Sequence, residues 1–416
     1  MSEYRECRSL ALKGVRLALA AALSLSVLTA TAGDRERAKR IHDRLAGVPP
    51  TESVLADMAA DINAGNVEDA AYTAMQNRHF YDVTIKNMVM PWTNEARTVF
   101  APLNDYVATV IGLIRDDKDF RQVLYGDVVY TADGFIPAYS PNDNAHYQAL
   151  DDQDANLKDV LVEHRQSALN SELPAAATAG VLTTRQAAKA FFIDGTNRAM
   201  FRFTMINYFC RDMEQLKDTR RPPDRIRQDV SRSPGGDSRI FLNNCVGCHS
   251  GMDPMAQAYA YYDYTYDEET DPEGQNGHLI FNAAGETDPV TESRVVEKYR
   301  INADNFPYGY ITADDHWDNY WREGRNAVLD WGYAPVDPSI DGSGTGMKSL
   351  GKEMASSYAF AECQAKKVFR TVCLRQPTDS ADRSEVSAMA DSLKSNGFKL
   401  KKSFAEAAVY CSTDVQ

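Results

Sequence analysis

The sequence predicts a mainly α fold: a helical region over 33–225, then a second helical region over 226–416 that a long irregular insertion interrupts. Three observations predict it. Apolar residues recur at spacings of three and four between clear helix start and stop residues. The polar, proline-bearing stretch "TRRPPDRIRQDVSRSPGGDS" sets a boundary near residue 225. Residues 275–346 hold three of the four tryptophans and many turn formers, with no sustained period.

The first element is a leader. Arg5, Arg8, Lys13 and Arg16 precede the apolar run Leu17 to Leu28, and Ala30-Thr31-Ala32 gives a small-x-small exit before Gly33. This is the pattern of a secretory signal peptide, cleaved near Ala32. The apolar run of about 12 residues is too short to cross a hydrocarbon core of about 30 Å, so no transmembrane anchor is expected. Removing 32 residues with a net charge of +2 leaves 384 residues and takes the formal charge from −14 to −16. Such a charge argues against nucleic acid and anionic lipid, and suits a partner with a basic surface. The expected location is the periplasm or another exported space.

Helices follow. "DRERAKRIHDRLAG" stops at Gly47, "TESVLADMAADINAG" runs from a capping Thr51 to Gly65, and "NVEDAAYTAMQN" starts at Asn66. "YDVTIKNMVM" breaks at Pro91, and "TNEARTVF" and "LNDYVATVIGLIRDD" continue the helical pattern around Pro102. Residues 125–182 are less regular, and the pattern resumes over Thr183 to Asp218. Beyond the insertion, "MKSLGKEMASSYAFAECQAKKVFRTVCL" is strongly amphipathic, and two more helical patterns close the chain.

The chemistry sits in "NNCVGCHSGMDP". Cys245, Cys248 and His249 form a Cys-x-x-Cys-His motif, which a random chain with seven Cys and seven His would show roughly two times in a thousand. On a helix, positions i, i+3 and i+4 share one face. Covalent haem c needs that arrangement: two thiols to form thioethers and a histidine held under the iron. A redox dithiol leaves the adjacent histidine unexplained, and a zinc site lacks a second ligand pair at metal spacing. The motif occurs once, so one haem is expected, in a cytochrome c-like helical domain. Asp253 and Pro254 are expected as N-cap and N1 of a following helix.

For the opposite face of the iron, Met347 is the expected ligand, because it follows the flexible "DGSGTG" loop and stands 98 residues from His249. Met354, His278 and His316 are the rivals, and water or an open position is the remaining option. Met252 and Met255 are too close to His249 along the chain. The tyrosines at 259, 261, 262, 264 and 266 are read as core packing, with a pocket wall or an electron path as the functional reading.

Export favours oxidation of the four remaining cysteines. Cys363 and Cys373 stand ten apart in what reads as one helix, about 15 Å along its axis, too far for a disulfide. Of the other two arrangements, Cys210–Cys363 with Cys373–Cys411 is expected.

The haem segment "FLNNCVGCHSGMDPMAQAYAYYDY" resembles that of the planctomycete-type cytochrome c domain proteins. "IHDRLAGVPPTESVLADM", "DKDFRQVLYGDVVYTADG", the segment ending at Cys210, and "FAECQAKKVFRTVCLR" are similar to other segments of that family. The resemblance implies an exported, mostly helical protein with c-type haem, and no particular reaction. "RPPDRIRQDV" and residues 264–345 depart from the family pattern. The leading functional expectation is a monohaem cytochrome passing one electron between redox partners. A haem enzyme with an open sixth position, and a surface protein with structural haem, are the alternatives.

Overall fold

The structure, a computed structural model, describes residues 33–193 and 198–413; the leader expected over 1–32 lies outside the described residues. Helix α1 (Asp34–Ala46) buries Ala38, Ile41, His42 and Leu45, the stripe its periodicity sets, and ends at Gly47 in the left-handed conformation, φ 71°. Helix α2 (Glu52–Asn63) starts where the Thr51 hydroxyl accepts from the Val54 amide, and α3 (Val67–Ala74) follows. Helix α4 (Asp105–Arg115), capped by Asn104, is buried over nearly its whole length. Helices α5 (Arg185–Phe192) and α6 (Arg198–Phe209) carry the resumed pattern, and α7 (Val246–Ala256) carries the cysteine motif. Helices α8 (Gly346–Ala355), α9 (Tyr358–Cys373), α10 (Ser380–Ser395) and α11 (Leu400–Ser412) close the chain. The fold is mainly α, as expected. Among the described residues no helix is long and apolar enough to cross a membrane.

"TNEARTVF" is not helical. The Asn94 side chain accepts from the Thr98 amide at 3.0 Å and donates to the carbonyls of Met90 and Thr98. This local clasp outcompetes the helix and leaves Arg97 at φ 54°.

The irregular regions contain three short antiparallel ladders. Strand β1 (Val129–Ala132) pairs with β2 (Leu161–His164), β3 (Tyr262–Thr265) with β4 (His278–Phe281), and β5 (His316–Asp318) with β6 (Ser343–Thr345). Two-stranded ladders are marginal alone. Here each carries buried residues: Tyr130, Tyr262 and Trp317 are all nearly inaccessible.

Both expected disulfides form. Cys210 joins Cys363 with Cα atoms 5.3 Å apart, and Cys373 joins Cys411 at 5.6 Å. Cys363 and Cys373 do lie in one continuous helix, α9. One large apolar cluster draws residues from both sides of position 225, from Ala38 to Cys411. The reason is the path of the chain's end. Helix α11 packs on α1 and α3, and Arg40 and Arg44 of α1 donate to the carbonyls of Ser412 and Cys411 at 2.7 and 3.0 Å.

Gly251 of α7 lies directly against the indole of Trp321, so that a methyl group there would overlap the ring. Trp321 is fully buried and its carbonyl accepts from the Trp331 indole at 3.0 Å. Gly251→Ala is expected to lower stability by about 1–3 kcal/mol through overpacking, read as a lower denaturation midpoint.

Candidate haem site

The motif lies on a helical run that begins where the Asp237 carboxylate accepts from the Arg239 amide at 3.0 Å. A single wide turn, Phe241–Cys245, leads into α7. Cys245 therefore sits at the junction, and Cys248 and His249 follow one turn on. All three line one cleft of about 420 Å³, within the roughly 300–1,000 Å³ range of cofactor sites. Ala199 and Phe203 of α6, with Met213 and Met252, supply its apolar lining. The spacing in the sequence predicts one helical face for the three motif residues; in the structure they line the same cleft.

Cys245 and Cys248 are free thiols, both partly buried. The Cys248 thiol donates to the Met213 carbonyl, 3.5 Å away. Burial pushes it up to about 11, and the nearby Glu214 carboxylate adds to the shift. A redox-active or nucleophilic cysteine needs the opposite shift. A structural zinc site needs four donors, and among the described residues no three His, Cys, Asp or Glu side chains cluster to hold a metal ion.

His249 is held from behind. Its Nδ1 is 3.0 Å from Oδ1 of Asp253, one turn on along α7. An ionised carboxylate only accepts, so Nδ1 carries a proton and Nε2 is the ring nitrogen left to face a ligand. Burial alone would raise the Asp253 carboxyl. Arg198, His249 and Arg227 outweigh it and hold Asp253 well below the usual carboxylate range. Arg198 Nε lies 3.1 Å from Asp253, and the same guanidinium reaches Asp229 at 2.6 Å. The Arg227 amide donates to the second Asp253 oxygen at 3.3 Å, while its guanidinium binds Asp229 at 3.1 Å and covers the Tyr299 ring. Asp253, Asp229 and Arg227 are all buried. A buried network of Asp253, Asp229, Arg198 and Arg227 thus lies behind the imidazole.

This corrects the expectation for Asp253 and Pro254. No new helix starts there: α7 continues through both residues. Asp253 faces His249 at i+4 rather than capping an amide. Sequence spacing could have suggested the pair, but the two arginines that fix it come from distant parts of the chain.

Met347 is also placed differently. It lies in the first turn of α8, fully buried in the core, and does not line the cleft. The glycine loop expected to be flexible is zipped into the β5–β6 ladder, with Thr345 opposite His316. Gly346 then turns the chain at φ 75° and delivers Met347 into the apolar core. Met354 is equally buried there. His278 lies 3.7 Å from Glu172 and His316 lies 3.5 Å from Asp318; neither lines the cleft, and neither do the five tyrosines. The thioethers that do line it are Met252, set aside in the sequence for its proximity to His249, and Met213, which no sequence feature marks. Met347→Ala is expected to cost about 2–5 kcal/mol by opening a cavity, with the optical spectrum of the holoprotein unchanged.

No protein-family model, curated protein or solved structure matches this chain.

Proposed function

We propose that the chain is an exported monohaem c-type protein that passes one electron between redox partners. Cys245 and Cys248 would hold the haem by thioether bonds, and His249 Nε2 would ligate its iron. The observation that carries this reading is the junction of the three residues on one cleft with a buried carboxylate behind the imidazole. A hydrogen bond from the distal ring nitrogen to a carboxylate is how proteins orient a metal-ligating histidine and set its basicity. The haem would supply the reversible one-electron step. The protein's own residues attach it, orient the imidazole and surround one side with apolar groups. The acidic balance of the chain suits a partner with a basic docking surface.

A second reading, a haem catalyst with an open sixth position, gains from two observations. Met347 is in the core, and a carboxylate-bonded histidine is a more basic ligand, which favours the oxidised iron. Material matured with haem tests both readings. Acid-acetone should leave the haem on the chain, and the mass should rise by one haem. Low-spin, six-coordinate iron supports electron transfer and high-spin iron supports catalysis. Freely extracted haem, or protein that purifies with zinc instead, refutes both.

A further inference from the structure

A second cleft, of about 510 Å³, opens between the loop around Trp92 and Arg97 and the C-terminal end of α9. Lys367, Arg370 and Arg375 line it together with Arg97, and no carboxylate does. Arg375 is neutralised by Asp382. Arg97, Lys367 and Arg370 form no ion pair with a carboxylate among the described residues, although Asp212 attracts Arg97 from a distance. A smaller cleft of about 350 Å³ shares these three cations and adds Lys366 and Arg211. This concentration of positive charge stands out in a chain of net charge −14.

Lys367 is the informative member. It is 8% exposed. Its ammonium donates to the Asn207 carbonyl and sits 3.4 Å above the centre of the Trp92 ring. Burial pushes it well below the ordinary lysine range, and the like charges of Arg97 and Arg370 push the same way. The end of a helix does attract cations, by about 0.3–1 kcal/mol at exposed positions. That accounts for Arg370 on the last turn of α9. It does not account for burying the Lys367 amine, whose charged form burial and the neighbouring guanidiniums disfavour. Arg97 is brought to the same place by a strained left-handed backbone at φ 54°, held by the Asn94 clasp. Backbone strain and clustered positive groups converge on one concave surface.

We propose that this cleft binds a small multivalent oxyanion, a molecule carrying two or more carboxylate or phosphate groups, with Arg97, Lys367 and Arg370 as its counter-charges. Guanidinium forks match either group in a bidentate manner. The bound anion would lie next to the cleft of Cys245, Cys248 and His249. Asp212 lines the smaller basic cleft and pairs at 2.7 Å with Arg202, which lines the other.

Calorimetric titration and thermal denaturation of the mature full-length protein test the proposal, with citrate and pyrophosphate as separate probes and sodium chloride at matched ionic strength as reference. At least one probe is expected to bind and to raise Tm beyond the chloride reference. Arg97→Gln and Arg370→Gln should each weaken binding by about tenfold, the loss expected for one charged hydrogen-bond partner. Lys367→Met should abolish binding while raising the Tm of the free protein, because it replaces a buried amine beside two guanidiniums with an apolar chain of similar size. A response to citrate alone assigns a polycarboxylate, to pyrophosphate alone a phosphate compound, and to both the shared oxyanion chemistry. The proposal is overturned if neither probe exceeds chloride, or if both arginine variants bind like the parent. A Lys367→Met protein that is less stable yet binds normally would equally assign the lysine to structure alone.

Discussion

The double variant Cys245→Ala, Cys248→Ala is expected to emerge folded and without haem. The two thiols are the only cysteines among the described residues not joined in a disulfide, so their loss leaves Cys210–Cys363 and Cys373–Cys411 intact. Both are partly buried at the cleft rather than in the core, and their truncation should cost little stability. Without thioether bonds, His249 alone has to retain the cofactor. Haem absorbance should fall to background after a single gel filtration, while the near-ultraviolet circular dichroism of the tryptophans persists. His249→Ala separates the roles: its haem should stay covalent, resist acid-acetone, and lose the spectrum of a histidine-ligated iron. Haem that stays bound to the double cysteine variant would sink the attachment assignment.

The sequence made some parts of this molecule legible because local physics decides them. The Thr51 cap, the Gly47 stop and the one-face spacing of Cys245, Cys248 and His249 each depend on a few neighbouring residues. Helix geometry excluded one disulfide pairing, since ten residues of α9 hold Cys363 and Cys373 apart, and the choice between the other two rests on Cys373 and Cys411 each standing near the end of a C-terminal helix. The misplaced features depend on partners far along the chain. Met347 looked free because a glycine loop precedes it, yet β5 supplies the partner strand that fixes that loop. "TNEARTVF" has helical spacing, yet the Asn94 side chain offers its backbone a competing set of bonds. The role of Asp253 needed Arg198 and Arg227, which lie 55 and 26 residues before it.

Asp253→Asn is expected to destabilise the protein and to shift the iron's midpoint potential upward. The carboxylate accepts from three sides: His249 Nδ1, the Arg198 guanidinium and the Arg227 amide. An amide has one accepting oxygen, and its nitrogen must face at least one of these donors, donor against donor. The substitution also removes the Asp253 charge from the interior network of Arg198, Arg227 and Asp229. Breaking one partner out of a buried ion network costs about 3–5 kcal/mol, so urea denaturation should show a clearly lower midpoint even without haem. With haem, the loss of the carboxylate makes the imidazole a weaker base and poorly oriented, effects that lower metal affinity by about 10–100-fold in comparable sites. A weaker donor favours the reduced iron, hence the rise in potential. Arg198→Met serves as the comparison: it disturbs the same network while leaving the His249–Asp253 hydrogen bond in place. Equal losses of stability, with the potential moving only in Asp253→Asn, assign the carboxylate to positioning the ligand. Potentials that stay put in both variants would reduce Asp253 to a structural ion.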